Sequence, residues 1–169
     1  MKKYLIIGNM NAVAYKEIFP LIKDNKMWLG VSITSGDRKF NVPDDYKLEA
    51  SGCGIDDDGK KFIRVKGVRW FTNIDHDKRH EKIDLYKHYT PEEYPKYDNY
   101  DAINVDKTCE IPMGYDGIMG VPITFFDKYC KDQFEIIGYA CNGSNNQFDY
   151  CKPIINGKNI YKRLLIKRR

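Results

Sequence analysis

Three segments within the first 33 residues constrain the fold more tightly than anything that follows. Residues 3–8 (KYLIIG) form an apolar run bounded by lysines and a glycine, the pattern of a strand in a sheet covered on both faces. In residues 11–24, Val13, Ile18, Leu21 and Ile22 fall on one helical face, and Asn9 or Asn11 is placed to cap it. Pro20 lies inside that stretch, so the helix is expected to begin late, kink or end early. Residues 26–33 (KMWLGVSI) read as a second strand. Strand, helix and strand make one βαβ unit, which implies a parallel, sandwiched sheet.

Beyond residue 36 the pattern turns β-rich. A short extended piece at 40–42, a strand at 61–65 and another at 68–73 flank an acidic loop holding Asp56, Asp57 and Asp58. Those acids are consecutive rather than alternate, and no glutamate stands at the twelfth position, so a turn at Asp58-Gly59 is expected rather than a calcium loop. Residues 91–112 are rich in Tyr and Pro and read as an ordered, extended excursion. Pro122 suits the first position of a short helix over 123–129, and 134–140 (FEIIGYA) is a strand. Asn156-Gly157 between the apolar runs 153–155 and 160–166 predicts a terminal β-hairpin. The expected class is therefore mixed, α/β to α+β. Residues 1–36 would belong to an α/β sheet, and 37–169 to a β-rich region packed with it as one unit.

A chain of 169 residues, 42% hydrophobic and 31% charged, has enough apolar material to bury a core. No apolar run is long enough to cross a bilayer, and the first residues turn polar too soon for a secretory signal. Cys53, Cys109, Cys130, Cys141 and Cys151 are odd in number and lack a Cys-x-x-Cys pair, which favours free thiols in a reducing cytoplasm. The net charge of +4 is unevenly placed: residues 156–169 hold six Lys or Arg and no acid, leaving the rest slightly acidic. Such a tail could meet phosphates, or could simply keep a terminal strand soluble.

No catalytic constellation emerges from spacing. His76 and His80 stand four apart as metal ligands would, but Lys78, Arg79 and Lys82 surround them and no glutamate follows His76. A metal site is not expected. Gly114, Gly117 and Gly120 lie outside any strand-to-helix turn, so they do not make a phosphate loop. The run at 70–82 (WFTNIDHDKRHEK) has no simple period, and the density of residue types points to recognition. Arg69, Trp70, Asn73, Lys78, Arg79 and His80 mix planar stackers, amides and cations, the groups that read bases and hold phosphates. Phe71 is expected in the core. Tyr94, Tyr97 and Tyr100 either line a groove or form one packed face.

The runs at 4–19, 70–82, 91–105, 115–129 and 155–167 together resemble the carboxy-terminal part of the EcoRI-type adenine-specific DNA methyltransferases. The resemblance implies the later part of a Rossmann-like methyltransferase sheet, followed by a recognition region for double-stranded DNA. It also implies restriction–modification and S-adenosylmethionine as the methyl donor of the full-length family. The family's Asp/Asn-Pro-Pro-Phe/Tyr tetrapeptide is absent here, since no two of the seven prolines are adjacent. The expectation is thus a chain that is inactive alone and holds no cofactor by itself. A separately encoded amino-terminal half would complete it, or it would self-associate. Asn9 and Asn11, in the turn after the first strand, either contact the target base or cap the helix. The other reading is a non-enzymatic DNA- or protein-binding module derived from such an enzyme.

Overall fold

The first apolar run becomes strand β1 (Leu5–Asn9) in a computed structural model that describes residues 2–49, 51–141 and 149–169. Asn9 ends the strand and caps a 3-10 helix, Met10–Ala14, its side-chain oxygen accepting from the Asn11 N–H at 3.0 Å. A single α-helical turn, α1 (Phe19–Lys23), follows. Pro20 stands in its first turn, where a missing N–H removes no intrahelical bond, so the helix begins late instead of breaking. Only Trp28–Leu29 of the second apolar run becomes a strand, β2.

The chain then builds an antiparallel sheet from β3 (Asp37–Asn41), β4 (Cys53–Ile55) and β5 (Lys61–Lys66), in the order β3-β5-β4. The acidic loop is a turn, as expected. Gly59 N–H donates to the Asp56 carbonyl at 2.9 Å, and the Asp56 carboxylate accepts from Lys60 N–H at 2.8 Å.

β6 (Val68–Thr72) corrects the expected parallel, doubly covered sheet. It lies between β1 and β2 and runs antiparallel to both, pairing Leu5 with Thr72 on one side and Trp28 with Thr72 on the other. β1 and β2 therefore run in one direction without touching. β6 supplies the buried Val68 and Phe71 and takes the centre, which leaves β1 at the edge. Leu5, Ile6 and Ile7 are 54%, 52% and 45% exposed, so the apolar run is not buried between two layers among the described residues.

The remaining strands are β7 (Lys87–His88), β8 (Ala102–Asn104), β9 (Pro112–Met113), β10 (Ile118–Val121), β11 (Phe134–Ala140), β12 (Asp149–Tyr150), β13 (Ile154–Ile155), β14 (Lys158–Asn159) and β15 (Arg163–Arg168). Five of them form the largest sheet, in the order β12-β11-β15-β10-β8. β8 lies inside the tyrosine-rich stretch expected to be an ordered, extended excursion. It is fully buried and pairs in parallel with β10. Three residues are too few to show a period, so the strand is decided by its neighbours.

Strand outweighs helix, 35% to 15%, so the expected mixed class resolves to a strand-rich one of several small sheets. One core joins the amino-terminal segment to the large sheet: Val13, Phe19 and Ile22 cluster with Ile103, Phe125, Phe134 and Ile166. Lys23 Nζ also donates to the Ile136 carbonyl at 2.6 Å. Tyr94 and Tyr97 are buried in packing, which explains their spacing. Gly120 permits the closest approach, since a Cβ there would meet the Tyr97 hydroxyl at 2.0 Å. The Asn156-Gly157 turn forms where expected, with φ of 50° and 71° in the left-handed region a two-residue turn requires. But Ile154–Ile155 pairs with Lys158–Asn159 rather than with 160–166, and Arg163–Arg168 lies between β10 and β11 in the large sheet instead. Among the described residues, no helix is long and apolar enough to cross a membrane.

Candidate nucleic-acid interface

After β6 the chain turns through Asp75 into a 3-10 helix, Asp77–His80. Asp75 fastens this turn, its Oδ1 accepting from His80 Nε2 and from Arg79 Nη1, each at 2.9 Å. The His80 hydrogen bond, then that from Arg79, holds the Asp75 carboxyl down at about 2. The Arg79 guanidinium lies 3.4 Å from the Trp28 ring centroid, stacked on its face, and also donates to Asn25. Arg79 therefore ties the helix to β2 and is only 11% exposed. His76 stands at the N-cap position of the same helix without a side-chain capping bond and turns Nε2 instead to the Leu29 carbonyl at 2.9 Å.

The other residues singled out by sequence are placed as follows. Arg69 is buried, and its guanidinium donates to Asp127 twice, at 2.7 and 2.9 Å, and to the carbonyls of Val68 and Thr34. Asn73 accepts from Tyr4 N–H and donates to the Lys2 carbonyl, both at 2.9 Å, continuing the β1–β6 ladder by its side chain. Asn9 spends its carbonyl on the helix cap and its amide on the Lys66 carbonyl at 2.9 Å. Trp70 is half-buried on the middle strand, with its Cβ against Gly30. Asn11 is exposed, Lys78 half-buried and His80 exposed.

Lys78 opens onto a groove that the sequence did not disclose. One part, about 530 Å³, lies between Lys78, the stretch Asp106 to Cys109, and the 3-10 helix Ile123–Lys128, with Thr34, Thr108 and Thr124 on its walls. A second part of about 310 Å³ shares Lys78, Cys109 and Lys128 with the first and continues past Lys82 and Ile83. Among the described residues, no acid holds the ammonium groups of Lys78, Lys82 or Lys128. Two carboxylates line the larger part, and each is ion-paired with an arginine. Asp127 is paired with Arg69, and Asp106 accepts from Arg163 Nη2 at 3.1 Å. Glu81 and Asp84 stand in the smaller part beside Lys82. The larger part thus presents free cations and hydroxyl donors, which suit a phosphate backbone. Lys107, Lys128 and the threonines carry no local signature. In a chain with 28 Lys and Arg, only the fold shows which of them converge.

Neither the groove nor the small cavity beside β2 suits S-adenosylmethionine. The small cavity beside Trp28, His76 and Arg79 holds about 20 Å³, room for one water. The open groove would set lysine ammonium groups against a sulfonium cation.

Over residues 1–169 the chain matches the family model described as adenine-specific methyltransferase EcoRI, and it belongs to that family. It is 46% identical to the type II methyltransferase M.EcoRI of Escherichia coli, a match over 99% of this chain and 51% of the relative. It is 34% identical to the type II methyltransferases M.MgeORF184P of Mycoplasma genitalium and M.MpnI of Mycoplasma pneumoniae, over 99% of this chain and 57% of each. The chain thus spans about half the length of the relatives it matches. No solved structure matches it.

Proposed function

We propose that this chain is the DNA-recognition part of an adenine-specific DNA methyltransferase of a restriction–modification system, and that it is inactive alone. The groove carries this reading: unpaired Lys78 and Lys128 face a space whose carboxylates are each closed by an arginine. Lys78, His80 and Asn11 keep polar groups toward solvent for double-stranded DNA. Asn9, Arg69, Asn73 and Arg79 serve by fixing the backbone that presents them, and Trp70 by packing behind it.

Methylating adenine's exocyclic amino group requires the base to leave the stack, and the donor is S-adenosylmethionine. That chemistry is assigned to polypeptide bearing the Asp/Asn-Pro-Pro-Phe/Tyr tetrapeptide, which is not among these 169 residues. The half-exposed β1 edge supports a sheet continued by another polypeptide, with residues 1–36 and the β6 strand between their two strands as the later part of a Rossmann-like sheet and the rest of 37–169 as the recognition region. A second copy covering β1 is the competing occupant.

The test is transfer of a labelled methyl group to duplex DNA by the chain, with and without a polypeptide corresponding to the relatives' other half. Activity in the mixture alone is expected. Methylation by the 169-residue chain on its own, or its stoichiometric capture of S-adenosylmethionine, would overturn the proposal.

A further inference from the structure

The terminal hairpin is built more firmly than two-residue strands can achieve by themselves. The Asp98 carboxylate accepts from the turn N–H groups of Asn156 and Gly157 at 3.2 and 2.7 Å. Asp98 N–H donates to the Ile154 carbonyl at 2.8 Å, and Asn99 holds the Lys152 carbonyl and the Ile154 N–H at 2.9 and 3.3 Å. Its inner side chains, Ile155 and Ile160, pack on the cluster of Tyr97, Ala102, Ala140 and Leu165.

The outer side chains have no such structural task. Lys158, Asn159, Tyr161 and Lys162 are all exposed, and neither lysine is ion-paired among the described residues. At 71%, Tyr161 is the most exposed large apolar side chain among them. Arg163, the next residue, pairs with Asp106 on the wall of the groove, so this cationic face begins where the groove ends. Residues 156–169 contain no acid to oppose it.

We infer that the hairpin is a second contact with duplex DNA, continuing the groove, with Lys158 and Lys162 on phosphates and Tyr161 lying against the sugar–phosphate edge. The inference rests on the DNA-recognition reading above. Neutralising two phosphates releases counterions, so binding should depend on salt with a slope that falls by roughly 0.9 for each phosphate left without its lysine.

The experiment measures binding of the full chain to a mixed-sequence duplex across a salt series, comparing the unsubstituted chain with K158A/K162A, Y161A and the groove variant K78A/K128A. The hairpin pair should lower the slope by about 1.8 and weaken binding roughly tenfold or more at 0.1 M salt. Y161A should weaken binding with its slope unchanged. An unaltered slope in K158A/K162A alongside a weakened K78A/K128A overturns the hairpin contact and leaves the groove standing. The reverse pattern keeps the hairpin and overturns the groove. No binding by the unsubstituted chain overturns both. Unchanged unfolding curves for all the variants show that DNA binding, not folding, has been altered.

Discussion

Arg69 and Asp127 meet through two parallel hydrogen bonds, Nε to Oδ1 at 2.7 Å and Nη2 to Oδ2 at 2.9 Å, with side-chain exposures of only 6% and 13%. The pair fastens the middle strand β6 to the 3-10 helix under the groove, and it removes a carboxylate charge from the groove wall. Replacing Arg69 with Leu strands Asp127 as a buried charge and should cost about 3–5 kcal/mol in urea unfolding. The double variant R69L/D127L should recover much of that loss. If R69L alone unfolds like the unsubstituted chain, the pair is not the fastening described.

The stack of Arg79 on Trp28 predicts a spectroscopic effect. R79A removes the guanidinium 3.4 Å from the ring centroid and opens that face to water. Tryptophan emission should shift to the red, and stability should fall by about 1–2 kcal/mol, the range for a largely desolvated cation–π contact. Trp70, the other tryptophan, serves as the internal reference through W70F.

Asp75 gives the turn a defined acid limit. Its carboxyl is held at about 2 against an ordinary 3.8, so the charged form is favoured in the fold. The contribution is complete above pH 4 and disappears as pH falls through 2. Tryptophan emission should report loss of the Arg79 stack across that window, and D75A should remove the transition. A transition of the same size in D75A would show that another group causes it.

Gly120 and Tyr97 occupy the same small volume. G120A places a methyl 2.0 Å from the Tyr97 hydroxyl and should destabilise by about 1–3 kcal/mol through overpacking. The hydroxyl also donates to Asn104 Oδ1 at 3.0 Å, but Arg163 Nε donates to that oxygen too, so Y97F leaves it partnered. G120A should therefore cost less in the Y97F background than in the unsubstituted chain, as measured by a double-mutant cycle.

Exposure of Leu5, Ile6 and Ile7 on an edge strand predicts association of the purified chain. Sedimentation should show weight-average mass rising with concentration. I6K should shift the curve toward monomer with little change in unfolding, because Ile6 is half outside the core. A strictly monomeric chain at high concentration would remove the need for any cover on β1.

Periodicity and turn chemistry determined the local elements by themselves. The Asn156-Gly157 hairpin, the Asp58-Gly59 turn, the late start of α1 at Pro20, and strands β5, β6 and β11 all follow from residues in contact along the chain. Family membership was also legible, because ordered runs over most of the length survive where any single motif is weak. Tertiary structure alone decided the partners. Nothing near Leu5 indicates that β6, more than 60 residues on, will take the place beside it, nor does Ala102-Ile103-Asn104 announce a strand before β10 is there to pair with it. The same holds for the site. Arg69 and Arg79 look like base readers in sequence, yet Asp127 and Trp28 engage their guanidinium groups from distant elements. The lysines of the groove are ordinary until the 3-10 helices Asp77–His80 and Ile123–Lys128 and the stretch Asp106 to Cys109 bring them together. A side chain's charge and shape are properties of its residue, but whether that charge stays free depends on long-range contacts that local sequence does not encode.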